Sequence, residues 1–514
     1  MTDVVAAPAP PEGASAVRAP TGASLRRPDW RRALLVCVLV GTVHGLVWTV
    51  INPPMQGPDE FTHVAQVDAM ARFLGADRYD GTARPSELGL FIGGVPFTAE
   101  GYPSWSPDQD RLIRDQLAQA RWWGPGPSYG VANPPLYYLI AALPVRVFSG
   151  LDLIDRLWIM RLANLFIFAA TIAFCFLFVR ELLPRHPWAW TVGGLVVALQ
   201  PLTAFMAGSV SVDNLLFAAS AGLFFAVARA FRRGLTVRRG AGIGLALLVG
   251  LLTKGTMFGF IPAVALAVGV LAVRAWRAGA RRHLLGAPAA ALALALPFWV
   301  WLQINTQVLG RASGGTTTGG YSVPPDRLEY LRHLASYTWQ VFLPPIGPMR
   351  DQYQDFFATN PPFPAFPQYP LWETWLEGFV GRFGWHQFEF PVWVNVPAAL
   401  IFLALGVLAA RALWRATGHL RRRRAELLTY VLMAAGVFML VTVAGYGWRT
   451  SRGGLSFEQA RYLLPLIPLY SAVVAAAVVG LRRHTGLALS AVLLVLAAGH
   501  ALGAFVLTLE RYYV

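Results

Sequence analysis

The sequence predicts an all-α, polytopic transmembrane protein with about 11 spans and two long extracytoplasmic loops that contain short helices. Of its 514 residues, 55% are hydrophobic and only 14% are charged, whereas about 25% of the residues in a soluble protein are charged. The apolar residues fall into runs, and a span needs about 20 mostly apolar residues. The predicted spans are 33–51, 162–179, 188–207, 213–231, 241–254, 257–273, 284–304, 393–411, 427–445, 461–481 and 485–508.

The net charge of +16 is distributed in a way that predicts the orientation of the chain. Basic residues gather in short segments between apolar runs, at 180–185, 229–239, 274–282, 411–424 and 482–483. Such segments mark cytoplasmic loops, and eleven spans with a cytoplasmic amino terminus place all of them on that side. We therefore expect a multi-pass protein of the bacterial cytoplasmic (inner) membrane, in contact with membrane lipids and without a nucleic-acid partner.

The stretch 133–150 is apolar enough to span, but it is short and is interrupted by Pro144. Counting it as a span would move every later basic segment to the outside. We therefore predict a re-entrant or interfacial helix at 134–150, continued by an amphipathic stretch from Leu151 to Arg161.

An acidic pair follows the first apolar run. Three prolines between residues 53 and 58 restrict the backbone. Asp59 and Glu60 then open a predicted helix over 61–74, and His63 lies three or four positions further on, on the same helical face. Acidic residues also suit the first turn of any solvated helix, so that interpretation stays open.

Further polar elements recur at the same predicted outer boundary. Asp213 and Asn214 end a short loop between spans, and Arg461 and Tyr462 begin the tenth apolar run. Lys254 interrupts another run and is the single lysine among 43 basic residues. Ionisable groups at membrane depth are costly and usually pair or serve a function. The structural alternative is a set of salt bridges that ties the spans together.

These residue types suit phosphate chemistry. A lipid-borne phosphate needs cations at headgroup depth, and lysine binds phosphate well as a point charge. A carboxylate can accept a proton from an attacking hydroxyl, while cations stabilise the charge on a departing phosphate.

The two long loops, 52–132 and 305–392, are rich in aromatic residues. Aromatic rings suit stacking on sugars and equally suit the membrane interface, so both interpretations stay open. The residues are Trp105, Trp122, Trp123 and Tyr129 in the first loop and Trp339, Trp372, Trp375 and Trp385 in the second.

These elements resemble the GT-C superfamily of multi-pass glycosyltransferases, and most of all a bacterial branch of domain-of-unknown-function type. The similarity extends over roughly residues 33 to 480. The motifs that carry it are Pro58-Asp59-Glu60 with His63, the Asn133–Tyr138 entry, Ser211–Asn214, Lys254, and Arg461–Pro465.

The resemblance implies roles for individual residues. Asp59 matches the catalytic acid of the first outer loop, and Asp213 matches an acid that in some members helps to bind a metal or the acceptor. Lys254 and Arg461 would contact the phosphate of a polyprenyl-phosphate sugar donor. The chain lacks a long soluble carboxy-terminal domain, so selection of a protein acceptor in the manner of an oligosaccharyltransferase does not follow.

We therefore predict a glycosyltransferase that moves a sugar from a polyprenyl-phosphate donor to a glycan, lipid or protein acceptor of the cell envelope, on the extracytoplasmic face. Asp59 is the predicted base, and Glu60 orients it or binds a metal. No cofactor is assigned, and a divalent cation with unassigned ligands is left open. The predicted substrate-binding residues are His63, Asn133, Tyr137, Asp213, Asn214, Lys254, Arg461 and Tyr462.

The chain divides into four predicted regions. Residues 1–30 form a disordered cytoplasmic tail. Residues 31–304 form the catalytic transmembrane module, residues 305–392 the second outer loop, and residues 393–514 the carboxy-terminal helices.

Two other functions remain open at this level. A transporter or flippase of lipid-linked saccharide would use the same charges as a path, with paired broken helices or internal repeats. A non-catalytic scaffold for envelope assembly would not need Asp59.

Overall fold

The computed structural model describes residues 29–74, 105–118, 133–304, 326–344, 370–384, 386–451 and 458–514. Most of the predicted tail, and the loop residues Trp122, Trp123, Tyr129 and Trp385, lie outside these ranges. The described residues are almost entirely helical, which confirms the predicted all-α class.

The first half of the chain contains helices α1 (Trp30–Ile51), α2 (Glu60–Leu74), α3 (Pro107–Ala118), α4 (Leu136–Val147), α5 (Leu153–Leu182), α6 (Pro187–Ala198), α7 (Pro201–Ala207), α8 (Val212–Arg233) and α9 (Val237–Leu251). The second half contains α10 (Ile261–Arg277), α11 (Arg281–Leu284), α12 (Gly286–Gln303), α13 (Arg327–Phe342), α14 (Glu377–Gly381), α15 (Val392–Arg415), α16 (Thr417–Arg422), α17 (Arg424–Ser451), α18 (Ile467–Val479) and α19 (Arg483–Tyr513). Two 3₁₀ helices, Gly255–Phe260 and Ala460–Leu466, precede α10 and α18, and a π-helix, Leu371–Leu376, precedes α14.

Within the described ranges, nine helices are long and apolar enough to cross a membrane. The count is ten if α6 and α7, which are bent by 61° at the break between them, form one span. The remaining predicted run, 241–254, falls on α9, which has 15 residues and is shorter than the roughly 20 that a span requires. The polytopic fold is confirmed, with a span count slightly below the predicted eleven.

The structure differs from the sequence expectation between residues 151 and 161. Instead of continuing the interfacial helix, residues 153–161 form the first turns of α5, a continuous helix of 30 residues. The Asp152 side chain caps this helix by accepting a hydrogen bond from the Asp155 amide at 2.9 Å. The preceding helix α4 has 12 residues and contains Pro144, in agreement with a short element that does not span.

Short strands are a second difference. In the loop before α15, β1 (Arg382–Phe383) and β2 (Phe388–Glu389) form an antiparallel pair. This hairpin lies within the predicted second outer loop, whose other described elements are short helices.

The basic segments meet at one end of the helix bundle, which we call the basic face. Arg232, at the end of α8, pairs with Glu181, at the end of α5, at 2.9 Å. Arg423, just before α17, donates to the Leu182 carbonyl at 3.3 Å. Arg415, at the end of α15, donates to the Gly480 carbonyl at 3.5 Å. Five helix ends with cationic loops therefore share one side, as the charge pattern predicts.

Candidate functional site

The charged residues singled out from the sequence converge at the helix ends opposite the basic face. Asp59 follows α1, Asp213 is in the first turn of α8, Lys254 follows α9, and Arg461 is in the 3₁₀ helix that leads into α18. They form a chain of alternating charge, Asp59–Arg461–Asp213–Lys254, which we call the charge cluster. The predicted convergence is present in the structure.

Asp59 is held by its backbone and by Arg461. Its φ angle is 57°, a left-handed conformation that is uncommon for a residue other than glycine. Arg461 pairs with the Asp59 carboxylate through Nη2 and donates through Nη1 to the Pro58 carbonyl at 3.2 Å. The guanidinium of Arg461 therefore binds both the side chain of Asp59 and the backbone of this turn.

Asp213 connects the two cations. Its Oδ1 accepts from the Lys254 ammonium at 2.6 Å, and its Oδ2 lies 3.8 Å from Arg461 Nη1. The amino-terminal end of α8 favours this carboxylate and the carboxyl end of α9 favours the ammonium, because helix dipoles attract opposite charge at each end.

The charge cluster has a closed side and an open side. The side chains of Arg461 and Asp213 are only 4% and 2% exposed, whereas those of Asp59 and Lys254 are 45% and 22% exposed. A ligand would therefore meet Asp59 and Lys254 first, with Arg461 between them at the back.

Burial and neighbouring charges shift the pKa of the Asp59 carboxyl group in opposite directions. Desolvation raises the pKa of its carboxyl group, but the Arg461 guanidinium, with help from the Lys254 ammonium, holds that pKa below its ordinary value. Asp59 is consequently ionised at neutral pH, as a proton acceptor must be.

Glu60 lies beside Asp59 in sequence but faces the opposite way. Both of its carboxylate oxygens bind Arg161, at 2.8 and 2.6 Å, and neither side chain is exposed. Arg161 also donates to the Asn52 and Pro53 carbonyls, at 2.5 and 2.9 Å. In this position Glu60 fixes the turn that carries Asp59, as the orienting alternative describes, and its side chain does not reach the open side.

His63 and Asn133 meet at Tyr138. The His63 Nδ1 atom lies 3.0 Å from the Tyr138 hydroxyl, and the Asn133 amide donates to the same oxygen at 3.4 Å. Burial lowers the pKa of His63 to about 4, although Asp59 and Asp213 oppose this shift. His63 is therefore a neutral hydrogen-bonding group beside the charge cluster.

Two predicted substrate-binding residues, Tyr137 and Asn214, form hydrogen bonds within the local structure. Tyr137 is completely buried and donates to Asn164 on α5 at 3.1 Å. The Asn214 amide donates to the Met206 and Ser209 carbonyls, at 2.9 and 3.0 Å. Both side chains shape the turn between α7 and α8, and their polar groups are used there.

Tyr462 lies against the cations of the cluster. Its ring centroid is 5.0 Å from the Lys254 ammonium and 5.3 Å from the Arg461 guanidinium carbon. The ring therefore shields the back of the cluster with a surface that favours positive charge.

Several residues of the site were not identified from the sequence. Arg161 could have been recognised as a single charge at the start of an apolar run, where an ionisable group needs a partner. Tyr138 lies in the Asn133–Tyr138 motif but was not singled out within it, and Asn164 carried no such signal. Among the described residues, no group of three or more histidine, cysteine or carboxylate side chains is arranged to hold a metal ion.

An apolar cavity of about 920 Å³ lies elsewhere in the bundle, between α6, α15, α18 and α19. Phe379 and Val380 of α14 form part of its wall. A Cβ atom on the neighbouring Gly378 would approach the Ala460 Cβ to 2.8 Å, so α14 packs closely on the element that carries Arg461.

Comparison with known proteins gives one family and one kind of solved structure. No curated protein matches the chain. Crystal structures of ArnT from Cupriavidus metallidurans are similar at 14% and 15% identity, with TM-scores of 0.45 for the form bound to undecaprenyl phosphate and 0.46 for the apo form. Each match covers 88% of this chain but only 61% of ArnT.

The family match covers most of the chain. Residues 43–470 match the family described as "Predicted membrane protein (DUF2142)", and this range includes every member of the charge cluster. The chain therefore belongs to the DUF2142 family of predicted membrane proteins.

Proposed function

We propose that this protein is a glycosyltransferase that moves a sugar from a polyprenyl-phosphate donor to an acceptor of the cell envelope, on the extracytoplasmic side of the bacterial inner membrane. The charge cluster is the observation that carries the proposal. It combines an accessible, ionised carboxylate with two cations, and all three lie at the helix ends opposite the basic face.

Two unsatisfied polar atoms in the cluster support a phosphate ligand. Neither Arg461 Nε nor Asp213 Oδ2 has a hydrogen-bond partner, although both atoms are buried. Buried polar groups in native proteins are normally satisfied, so a ligand with both acceptors and hydroxyl donors would complete this site. A glycosylated phosphate offers both.

The transfer step uses the cluster in a defined way. The acceptor hydroxyl oxygen forms a bond to the anomeric carbon of the donor, and the bond between that carbon and the phosphate oxygen breaks with its electron pair leaving on the phosphate. The hydroxyl proton passes to the Asp59 carboxylate. Lys254 and Arg461 stabilise the charge that develops on the phosphate.

The donor class rests on the resemblance to GT-C enzymes and on the surroundings of the site. The apolar cavity offers a hydrocarbon environment, and α14 connects its wall to the element that carries Arg461. We assign this cavity to the isoprenoid tail of the donor.

The test is complementation of a strain that lacks the gene. We expect this strain to accumulate a polyprenyl-phosphate sugar and to lose one envelope glycan, and the wild-type protein to reverse both changes. Asp59→Asn removes the proton acceptor and keeps the shape, so transfer should fall by at least about 100-fold. Mass spectrometry of the lipid-linked sugars and the glycans measures both.

The matched control is Asp108→Asn in α3, an exposed carboxylate that pairs with Arg111 of the same helix. It should restore the glycan fully. Normal transfer by Asp59→Asn at equal membrane abundance would refute the assignment of Asp59 as the base.

A transporter of lipid-linked saccharide is the second candidate because the chain breaks at two places within its apolar runs. The break between α6 and α7 bends the chain by 61°, and α9 stops three residues before Lys254. Broken helices are typical of transporters. Reconstituted protein that moves a fluorescent lipid-linked sugar across vesicles without transferring it would favour this function.

A further inference from the structure

A second group of polar side chains lies beside the charge cluster and takes no part in the proposed step. It consists of Gln56, His386, Gln387 and Gln459, which we call the neutral group. Gln56 Nε2 and Gln387 Oε1 are buried without a hydrogen-bond partner. His386 and Gln459 lie within hydrogen-bonding range of each other, and their buried Nε2 and Oε1 atoms have no closer partner. Buried polar atoms with so few partners are uncommon in native interiors.

The connections within the neutral group place it next to Asp59. Gln56 precedes Asp59 by three residues, is fully buried, and accepts a hydrogen bond from the Tyr512 hydroxyl at 3.3 Å. A Cβ atom on Gly384 would lie 2.9 Å from the same hydroxyl and 3.6 Å from Gln387 Oε1. The hairpin turn and the turn before Asp59 therefore meet at Tyr512.

His386 provides the link to the cluster itself. It lies close enough to Asp59, Arg461 and Gln459 for each of them to affect its protonation. Gln459 in turn precedes Arg461 by two residues. The neutral group thus extends from the turn of Asp59 to the element that carries Arg461.

Backbone strain singles out the same place. The non-glycine residues with a left-handed backbone in the described ranges are Met55, Asp59 and His386, with φ angles of 63°, 57° and 61°. Two of them carry side chains directed to this site, on segments far apart in sequence. Such strain persists only where the surrounding structure enforces it, and it is concentrated at functional sites.

We propose that Gln56, His386, Gln387 and Gln459 form a saccharide subsite that binds the hydroxyl groups of a sugar next to Asp59. The proposal rests on the proposed function and adds to it the residues that recognise a sugar ring. The sugar is either the one carried by the donor or the one that accepts transfer, since both must lie against Asp59.

The chemistry of the group fits neutral hydroxyls better than ions. Carboxamides present two donors and an acceptor, and neutral imidazole presents one of each. Burial lowers the pKa of His386 to about 4, with Arg382 and Arg461 acting in the same direction, so the ring is neutral at physiological pH. A phosphate would find no cation in the group itself, whereas a polyol would find donors and acceptors together.

The test measures binding to purified full-length protein in nanodiscs, by tryptophan fluorescence. The probes are bare undecaprenyl phosphate, a panel of undecaprenyl-phosphate hexoses and pentoses, and the corresponding methyl glycosides. The variants are Gln459→Leu, which keeps volume, and His386→Gly, which removes the imidazole and relieves the left-handed backbone. Gln340→Leu in α13 is the control for loss of a buried amide.

We expect both variants to bind at least one sugar-bearing probe about 10-fold more weakly, the effect of one lost hydrogen bond of about 1.4 kcal/mol. Their affinity for bare undecaprenyl phosphate should be unchanged, whereas Lys254→Met should weaken binding of bare and sugar-bearing lipids alike and leave methyl glycosides unaffected. A loss seen only with sugar-bearing lipids assigns the subsite to the donor sugar, and a loss with methyl glycosides assigns it to the acceptor.

Two results would overturn the subsite. Wild-type protein that binds no sugar-bearing probe more tightly than bare undecaprenyl phosphate, and binds no methyl glycoside, would show that the neutral group holds only water. The subsite would also be refuted if Gln459→Leu and His386→Gly bound every sugar-bearing probe and methyl glycoside with wild-type affinity. Wild-type protein without affinity for undecaprenyl phosphate would instead count against the proposed function, and the glycoside arm would still decide the subsite.

Discussion

At the scale of single residues, the site combines charges that are individually expensive to bury. Arg461 and Asp213 are almost inaccessible, and an unpaired charge in such a position would cost several kcal/mol. Each charge in the cluster lies next to a charge of opposite sign, and this attraction offsets the cost of burial. Because the sum of the charges is zero, the cluster can be stable before any ligand binds, while its open edge still offers one carboxylate and one ammonium.

The lowered pKa of His63 predicts how the stability of the folded protein depends on pH. Its pKa is lowered to about 4 in the folded protein, against about 6.5 in an unfolded chain. Between these values the unfolded state binds a proton that the folded state excludes, so stability is complete above pH 6.5 and falls as the pH is lowered towards 4, by at most about 3 kcal/mol.

We expect His63→Gln to make this decline shallower, measured as the thermal unfolding midpoint in detergent between pH 4 and 8. The exposed residue His484 provides the control, and His484→Gln should keep the wild-type slope. An unchanged slope in His63→Gln would show that His63 is not held in its neutral form.

Neighbouring residues with different roles mark the limit of sequence reasoning at this scale. Asp59 and Glu60 were recognised together, and so was the Asn133–Tyr138 entry, because their composition at a membrane boundary is unusual. Their separate roles depend on direction: Glu60 points to Arg161 and Tyr137 to Asn164, while Asp59 and Tyr138 face the site. A partner about 100 residues away in sequence cannot be identified from local spacing.

At the scale of elements, two glycines set how closely α17 approaches the 3₁₀ helix before α10. Gly436 and Gly259 face each other so closely that a Cβ atom on either would overlap the backbone of the other. This contact fixes the segment that follows Lys254. Side-chain-free surfaces of this kind let helix backbones approach closely within a membrane.

We therefore expect Gly436→Ala to lower the thermal midpoint and to weaken binding of lipid phosphate through Lys254. Gly406→Ala in α15 is the matched control, since no atom lies within 4 Å of the added Cβ. Alanine in an open helical position is favoured over glycine by roughly 1 kcal/mol, so this control should be neutral or slightly stabilising. Equal midpoints for the two variants would contradict the close contact.

The difference at α5 belongs to the same scale. A charged amphipathic stretch next to an apolar run predicted an interfacial helix, because isolated charges avoid the bilayer. In the folded protein, Arg161 is neutralised by Glu60, and Arg156 pairs with Asp68. With these partners in α2, the helix continues without a break, which only the tertiary contacts determine.

At the scale of the whole molecule, the two ends of the bundle differ in chemistry. One end collects the basic loops, and the other collects the charge cluster, the neutral group and the short elements of the long loops. Apolar runs and the charges at their ends were sufficient to predict this separation. The hairpin with His386 was not predicted, since two-residue strands leave no periodic signal.

This separation predicts the orientation of the protein, testable by cysteine labelling. Cys37 and Cys175 are both buried, so replacing them with serine gives a suitable background. We expect Arg111→Cys in α3 to react with a membrane-impermeant maleimide on spheroplasts, and Arg281→Cys in α11 to react only after permeabilisation. The opposite pattern would invert the proposed topology, and labelling of both without permeabilisation would contradict the two-sided arrangement.

The single lysine has a practical consequence. Because Lys254 carries the only side-chain amine of the chain and remains partly accessible beside Asp213, an amine-directed acylating reagent would modify one side chain, at the mouth of the site. Acylation removes the positive charge of Lys254, so a bound lipid phosphate should protect this side chain from the reagent. The extent of modification would therefore report directly on occupancy of the site, without the need to engineer a new reactive position.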